Sequence, residues 1–200
     1  MASTLTTQGR AETVSLLLNS SGALQPKYLA FGVGSGISSP SDQALFQETG
    51  TRVLGTITQT TTTTSGDTYQ LVATFTAVSG TTLTNLGIFN NPTSPTQGYL
   101  ISQVSSSSQT NLSISNYSSW PTNYPYNVQV STEVMTVVSG NGSTTLYVNR
   151  GANGSTVLSS IPTLTAVTQC SGLLFAKTDF GGLPLSAGDS IQFTIGIQYQ

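Results

Sequence analysis

The sequence contains no histidine, one cysteine and few charged residues, and each shortage excludes a class of chemistry. Without histidine, a Ser-His-Asp or Cys-His catalytic arrangement within the chain is impossible. Zinc sites built from cysteine and histidine are excluded for the same reason. The single cysteine, Cys170, also rules out an intramolecular disulfide, so the fold must be held together by packing.

Charge of both signs is scarce. Charged residues make up 6% of the chain, against roughly 25% in ordinary soluble domains. The basic residues are scattered, so no nucleic-acid interface is predicted. The acidic residues show no Asp-x-Asp-x-Asp spacing of a calcium loop. We therefore expect no enzymatic activity, no metal and no cofactor.

Long hydrophobic runs are also missing. No apolar stretch approaches the roughly 20 residues of a membrane-spanning helix. The Met-Ala-Ser-Thr N-terminus lacks the basic segment that begins a signal peptide. We expect a protein that is made in a cytoplasm and does not bind a membrane.

What the sequence does contain is a series of strand patterns. Residues 191–199 alternate strictly between apolar and polar positions. Residues 69–78 and 28–33 are rich in β-branched and aromatic residues, which favour strands. The threonine-rich stretch 53–64 is typical of an exposed strand that runs into a loop.

Helix is predicted in only two short places. Asp42 is placed to cap a helical turn over residues 43–48, and such a turn would pair Glu48 with Arg52. The other candidate is the segment 11–18.

The clearest local prediction is a β-hairpin within residues 132–150. Asn141-Gly142 is the pair favoured in a two-residue type I′ turn. With these two residues as the loop, Glu133 lies directly opposite Arg150, and we expect them to form an exposed structural ion pair. The same register places four apolar side chains on one face: Met135, Val137, Leu146 and Val148.

Two segments rich in proline, asparagine and serine, 91–97 and 116–125, resemble connections at the edge of a domain. The second of these, with the residues just after it, carries four aromatic residues. They predict either an exposed contact patch or a lid folded over a small domain: Tyr117, Trp120, Tyr124 and Tyr126.

Two sets of motifs resemble parts of tailed-phage virion proteins. The segments YLAFGVGSG, SDQALFQETGTR and LTNLGIFN, followed much later by SGLLFAKTDFGGLPLSAGDSIQFTIGIQ, are similar to a family of small virion β proteins. Between them, EVMTVVSGNGSTTLYVNRGANGST resembles a small β module of phage tail and particle proteins, with the pattern E-x-M-x-V, a hairpin and V-x-RG-x-NG-[ST].

Together these resemblances imply an all-β protein with one domain inserted into another. The host domain is expected to be an antiparallel β-sandwich or jelly-roll-like fold made from residues 1–90 and 171–200, with a second small β domain at 91–170. The implied role is that of a non-enzymatic structural protein of the virion, as a head decoration or cement protein or as a neck or tail component.

The expected partners are other copies of the chain and other virion proteins, and trimers are expected by analogy with particle-surface proteins. The alternative function is a receptor- or carbohydrate-binding module of a tail fibre. In that alternative, the aromatic residues around Trp120 would present the ring faces that glycans contact.

Overall fold

The fold is built almost entirely from antiparallel β-strands, which confirms the predicted all-β class. The computed structural model describes residues 2–140 and 143–199. In chain order the strands are β1 (Ala2–Leu5), β2 (Tyr28–Gly32), β3 (Glu48–Leu54), β4 (Thr56–Thr60), β5 (Thr68–Thr76), β6 (Thr81–Phe89), β7 (Gln97–Tyr99), β8 (Asn111–Ser113), β9 (Tyr126–Val130), β10 (Glu133–Ser139), β11 (Thr145–Asn149), β12 (Ala166–Gln169), β13 (Leu174–Leu185) and β14 (Ser190–Gln198). The described residues also form the helix α1 (Thr7–Leu17) and two short 3₁₀ turns, Tyr117–Ser119 and Ala152–Gly154.

The strands form three sheets. One has five strands in the order β1-β13-β6-β2-β3, and a second has three in the order β14-β5-β4. The third has six strands in the order β7-β12-β9-β10-β11-β8. The five-stranded and three-stranded sheets are called here the host unit, and the six-stranded sheet with its loops the inserted unit.

The inserted unit lies between two neighbouring strands of the host unit. Strands β6 and β13 pair antiparallel, with Phe89 opposite Leu174. All six strands of the inserted unit lie between Gln97 and Gln169, within the predicted segment 91–170. The chain therefore leaves the host sheet at the end of β6 and returns beside it at the start of β13.

Each unit has its own apolar core. In the host unit, Phe31 of β2 contacts Phe75 of β5 and Phe193 of β14, with ring centroids 4.5 and 5.2 Å apart, so the two host sheets pack face to face. The alternation predicted for the last strand is present, because its four apolar side chains pack against this core: Ile191, Phe193, Ile195 and Ile197. A separate cluster around Met135 and Val137 fills the inserted unit.

The predicted hairpin forms with a different register. Val137 pairs with Val148, whereas the predicted register placed it opposite Leu146. An irregularity between Val137 and Ser139 shifts the pairing by one further residue toward the turn. The predicted turn residues Asn141 and Gly142 lie outside the described residues. Because the ladder is displaced by two residues, and side chains alternate with a period of two, the apolar side chains keep the face that was predicted.

The predicted helical turn over 43–48 is wrong. Residues 42–47 are a loop with isolated turns, and Glu48 begins strand β3. Asp42 is fully buried beside Lys177, so its carboxylate is not available as a helix cap. The other predicted helix exists, but α1 begins at Thr7 because Thr6 caps it by accepting a hydrogen bond from the Gly9 N–H at 2.9 Å.

Helix α1 approaches β13 very closely at Gly9. A Cβ atom at this position would lie 2.0 Å from the carbonyl oxygen of Phe175, which is far inside van der Waals contact. Thr6 fixes the same junction, since its N–H donates to that carbonyl at 3.1 Å. Glycine is therefore required where the helix crosses the strand.

The threonine-rich stretch forms strand β4 and then a loop held by Asp67. The Asp67 carboxylate accepts hydrogen bonds from the N–H groups of Thr62, Thr63 and Thr64 at 2.8, 2.9 and 2.8 Å. It also accepts one from the side-chain amide of Gln198 at 2.9 Å. The N–H groups of Thr64, Thr62 and Thr63, with a smaller contribution from the Thr68 hydroxyl, hold the pKa of Asp67 well below its usual range.

We predict that Gly9→Ala lowers the free energy of unfolding by about 1–3 kcal/mol, because the added methyl group must push the helix off β13. Urea unfolding measures the change. Gly80→Ala is the matched control, since a Cβ atom there meets nothing within 4 Å. Equal stability of the two variants would contradict the close approach.

We predict that Asp67 stabilises the fold in a pH-dependent way. Its folded pKa is depressed, so the contribution is fully present above the unfolded value of about 4 and is lost as the pH falls toward the folded pKa. The difference in unfolding free energy between wild type and Asp67→Asn should therefore be constant near neutral pH and shrink below about pH 4. A difference that grows on acidification would refute the assignment.

Candidate functional site

Half of the formal charges in this chain are removed from the surface in three ion pairs. The chain has twelve charged residues. Six of them form the pairs Arg52–Glu48, Arg150–Glu133 and Lys177–Asp42, and all six side chains are at most 6% exposed. Buried pairs are tolerated only when their remaining donors and acceptors are also satisfied, so the surroundings of each pair decide its role.

The predicted pair Glu133–Arg150 exists, but it is buried rather than exposed. The guanidinium contacts both carboxylate oxygens, with Nε donating to Oε1 at 2.7 Å and Nη2 to Oε2 at 2.6 Å. It also donates to carbonyl oxygens of three loop residues, Ser106, Gln109 and Leu158. Because Glu133 accepts from the N–H groups of Gly151 and Leu158, one pair ties the loop before β8 and the loop before β12 to strand β10.

The second pair lies where the chain crosses between the two units. Glu48 and Arg52 lie on strand β3, where a spacing of four places both side chains on one face. Arg52 donates to Glu48 through Nε at 2.9 Å and Nη2 at 3.1 Å. Its Nη1 donates to the carbonyls of Asn91 at 3.1 Å and Ser171 at 2.8 Å, so a single guanidinium holds the outgoing and the returning connection.

Burial governs the electrostatics of the second pair. Loss of water raises the pKa of Glu48, and the hydrogen bonds and charge of Arg52 oppose that rise. Arg52 also lies over the ring of Phe89, 3.5 Å from its centroid, at the end of β6. The predicted pairing of these two residues was therefore right in its partners and wrong in its helical setting.

The third pair, Lys177–Asp42, was not predicted. Lys177 lies on β13 and donates to Oδ2 of Asp42 at 2.8 Å. The signal in the sequence is a lysine at an inward position of an apolar strand, two residues after Phe175, where a charge requires a buried partner. The partner could not be chosen from the sequence, because Asp42 is 135 residues away.

Gln129 of strand β9 joins the inserted unit to this pair. Its Oε1 accepts from the N–H groups of Gln43 and Ala44 at 2.9 and 2.8 Å. Its Nε2 donates to Oδ1 of Asp42 at 3.0 Å. Asn127 adds a hydrogen bond to the side chain of Gln43 at 2.8 Å, so the boundary between the units is a satisfied polar network.

The aromatic residues predicted to form either a contact patch or a lid are not all exposed, as a contact patch would require. Trp120 is 5% exposed and belongs to the core of the inserted unit. Tyr124 and Tyr126 are half-buried against that core and stack on each other with centroids 5.6 Å apart. Burial raises the pKa of Tyr126 to about 12, and the electrostatic effect of the neighbouring Tyr124 adds to the rise. The side chain of Tyr117 lies outside the described part of the structure.

Several exposed apolar side chains lie together at the C-terminal half of α1 and just after it. Leu17 and Leu18 are 82% and 72% exposed, and Val14 and Leu24 are more than half exposed. Beside them is an apolar groove of about 600 Å³ between the helix and the end of β14. The α1 surface is defined here as these four residues together with Leu16. It contains no charged side chain.

The described residues contain no candidate metal centre. Within residues 2–140 and 143–199, no group of three or more His, Cys, Asp or Glu residues is positioned to hold a metal ion. Burial raises the pKa of the Cys170 thiol, which keeps it protonated. In the same described ranges, no helix has the length and apolarity that crossing a membrane requires.

A cleft of about 470 Å³ also lies between the units, lined by both Phe46 of the host and Gln129 of the inserted unit. Its amide groups are already used, since Gln129 bonds to the host loop and Gln47 donates to the hydroxyl of Tyr99 at 3.0 Å. Both glutamine side chains of the cleft are therefore already hydrogen-bonded within the protein.

Comparisons with protein-family models, with curated proteins and with solved structures found no match. The resemblance to tailed-phage proteins therefore depends on the motifs quoted above.

We predict that Glu133→Gln destabilises the protein by about 3–5 kcal/mol, because it leaves the guanidinium of Arg150 buried without its counter-charge. Urea unfolding at neutral pH measures this. The double variant Glu133→Gln with Arg150→Met should recover part of the loss, since it buries no unpaired charge. A single variant as stable as wild type would show that water reaches the pair.

Proposed function

We propose that this protein is a non-enzymatic structural component of a tailed-phage particle. In this proposal it assembles on the particle through contacts with its own copies and with other virion proteins. Its place would be that of a head decoration or cement subunit, a neck protein or a tail protein. The link to a virus rests on the motif resemblance. The role in assembly is argued from the surface of the folded chain.

One observation carries the proposal: the protein buries half of its few charges and leaves apolar side chains exposed together. The four carboxylates outside the ion pairs also accept backbone hydrogen bonds: Glu12 from Leu24, Asp179 from Ser38, Asp67 from Thr62 to Thr64, and Asp189 from Ser186. The remaining surface is mainly threonine, serine, asparagine and glutamine, with the α1 surface as its apolar part. Such a surface favours close contact with neighbours, because little charge repulsion or desolvation of ions opposes it.

The same property predicts how the contacts respond to the medium. Few charges are present to be screened or titrated, so contacts between subunits should be nearly independent of salt near neutral pH. A particle component that must survive outside a cell benefits from that independence. The alternative function, glycan binding through the aromatic residues, loses its main element because Trp120 is in the core.

The location on the particle can be tested directly. Gold-labelled antibody raised against this protein is applied to purified particles of the virus that encodes it and viewed by electron microscopy. We expect label either over the whole shell, as for a decoration subunit, or at one vertex or tail, as for a neck or tail part. Particles without any label would refute the proposal.

The assembly surface is tested with one apolar-to-charged substitution and a matched control. We predict that Leu17→Asp abolishes incorporation into particles and lowers self-association in sedimentation experiments, because it places a charge on the α1 surface. Val78→Asp is the control, since Val78 is 92% exposed in the loop after β5, at the opposite end of that strand from Tyr69, which lines the groove beside α1. Equal incorporation of both variants would remove the α1 surface from the proposal.

A further inference from the structure

The Lys177–Asp42 pair brings an amine and a carboxyl group into contact in a buried site. Nζ and Oδ2 are 2.8 Å apart, and both side chains are completely buried. The ring of Phe46 covers the amine, with its centroid 3.1 Å from Nζ. The two groups are therefore held in contact and shielded from solvent.

This pair differs chemically from the other two. A guanidinium stays protonated and is not a nucleophile, whereas a buried lysine amine can lose its proton and attack an electrophilic carbon. Burial lowers the pKa of Lys177, although the charge of Asp42 opposes the shift. Burial also raises the pKa of Asp42, against the opposing charge of Lys177. Both shifts favour the neutral amine beside the neutral acid, which are the reactive forms.

The surroundings of Asp42 suit attack at its carboxyl carbon. Oδ1 accepts a hydrogen bond from Nε2 of Gln129 at 3.0 Å, so charge that develops on this oxygen has a donor already in place. A second carboxylate, Asp179, lies two residues after Lys177 on β13 and therefore on the same face of the strand, and its charge raises the pKa of the Lys177 amine. Oδ1 of Asp179 is buried and has no hydrogen-bond partner among the described residues, so it is available to accept a proton.

We propose that Lys177 and Asp42 join in an intramolecular amide bond once the chain has folded. The lone pair of Nζ forms a bond to Cγ of Asp42, and the bond from Cγ to its hydroxyl oxygen breaks. A proton from the amine passes to the departing hydroxyl, with Asp179 as the carrier, and one water molecule is released. The reaction needs no oxidant, metal or co-reactant.

The bond would close the chain from the loop before β3 to strand β13, and so link parts of the host unit that flank the inserted unit. It would give a chain that lacks any disulfide a covalent cross-link that reducing agents do not break. The inference is independent of the proposed place in a virion, because it concerns only the folded chain.

Mass spectrometry tests the proposal on the full-length folded protein. We expect the intact mass to be lower than that of the unmodified chain by one water molecule, and the Lys177→Arg variant to show no such deficit. Trypsin cannot cleave after an acylated lysine. The digest should therefore contain a branched product in which peptide 28–52 is joined to peptide 151–200, in place of the separate peptides 151–177 and 178–200.

The controls distinguish the cross-link from other losses of water. Cleavage after Arg52 and Arg150 should stay complete, because the two arginine pairs cannot condense. If Lys177→Arg does not fold, the mass calculated from the sequence serves as the uncross-linked reference. An unchanged mass in the folded protein overturns the proposal, and so does a water loss confined to one peptide, which indicates a cyclic imide at an aspartate.

Discussion

Burying a carboxylate with its cation is unfavourable unless nearly every lone pair and N–H group finds a hydrogen-bond partner. The described part of this protein contains three such buried pairs, and the loops and sheets around each pair provide those partners. Glu133 and Arg150 organise the loops of the inserted unit. Glu48 and Arg52 hold the two connections between the units. Asp42 and Lys177, with Gln129 as the link, fix the host loop against the inserted sheet.

These pairs explain how a chain with so few charges still adopts one arrangement. Apolar packing alone tolerates small displacements of one sheet over another, since it has little directionality. A two-point contact between a guanidinium and a carboxylate does not, because its hydrogen bonds depend on distance and angle. The apolar clusters thus supply most of the driving force for folding, and the pairs define which loops and sheets meet.

Periodicity predicted the parts of this fold that depend on local geometry. The alternation at 191–199 placed Phe193 correctly toward the core, and the faces of β10 and β11 survived a wrong register because the displacement was even. The turn at 43–48 was mispredicted because Asp42 finds a partner far along the chain, which outweighs its local preference for a cap. Trp120 was ambiguous, since sequence alone does not tell whether an aromatic residue among prolines covers a core or faces water.

The insertion between β6 and β13 also has a mechanical consequence. A force applied to the inserted unit enters the host through Phe89 and Leu174, which lie side by side on neighbouring strands. Both strands lie inside their sheet, flanked by β2 and β1. Tension would therefore load the ladders on both flanks in shear, so that many hydrogen bonds resist together instead of opening one after another from an edge. Arg52 donates hydrogen bonds to both connections, at Asn91 and Ser171, and so holds them side by side. The force would therefore be shared between β6 and β13.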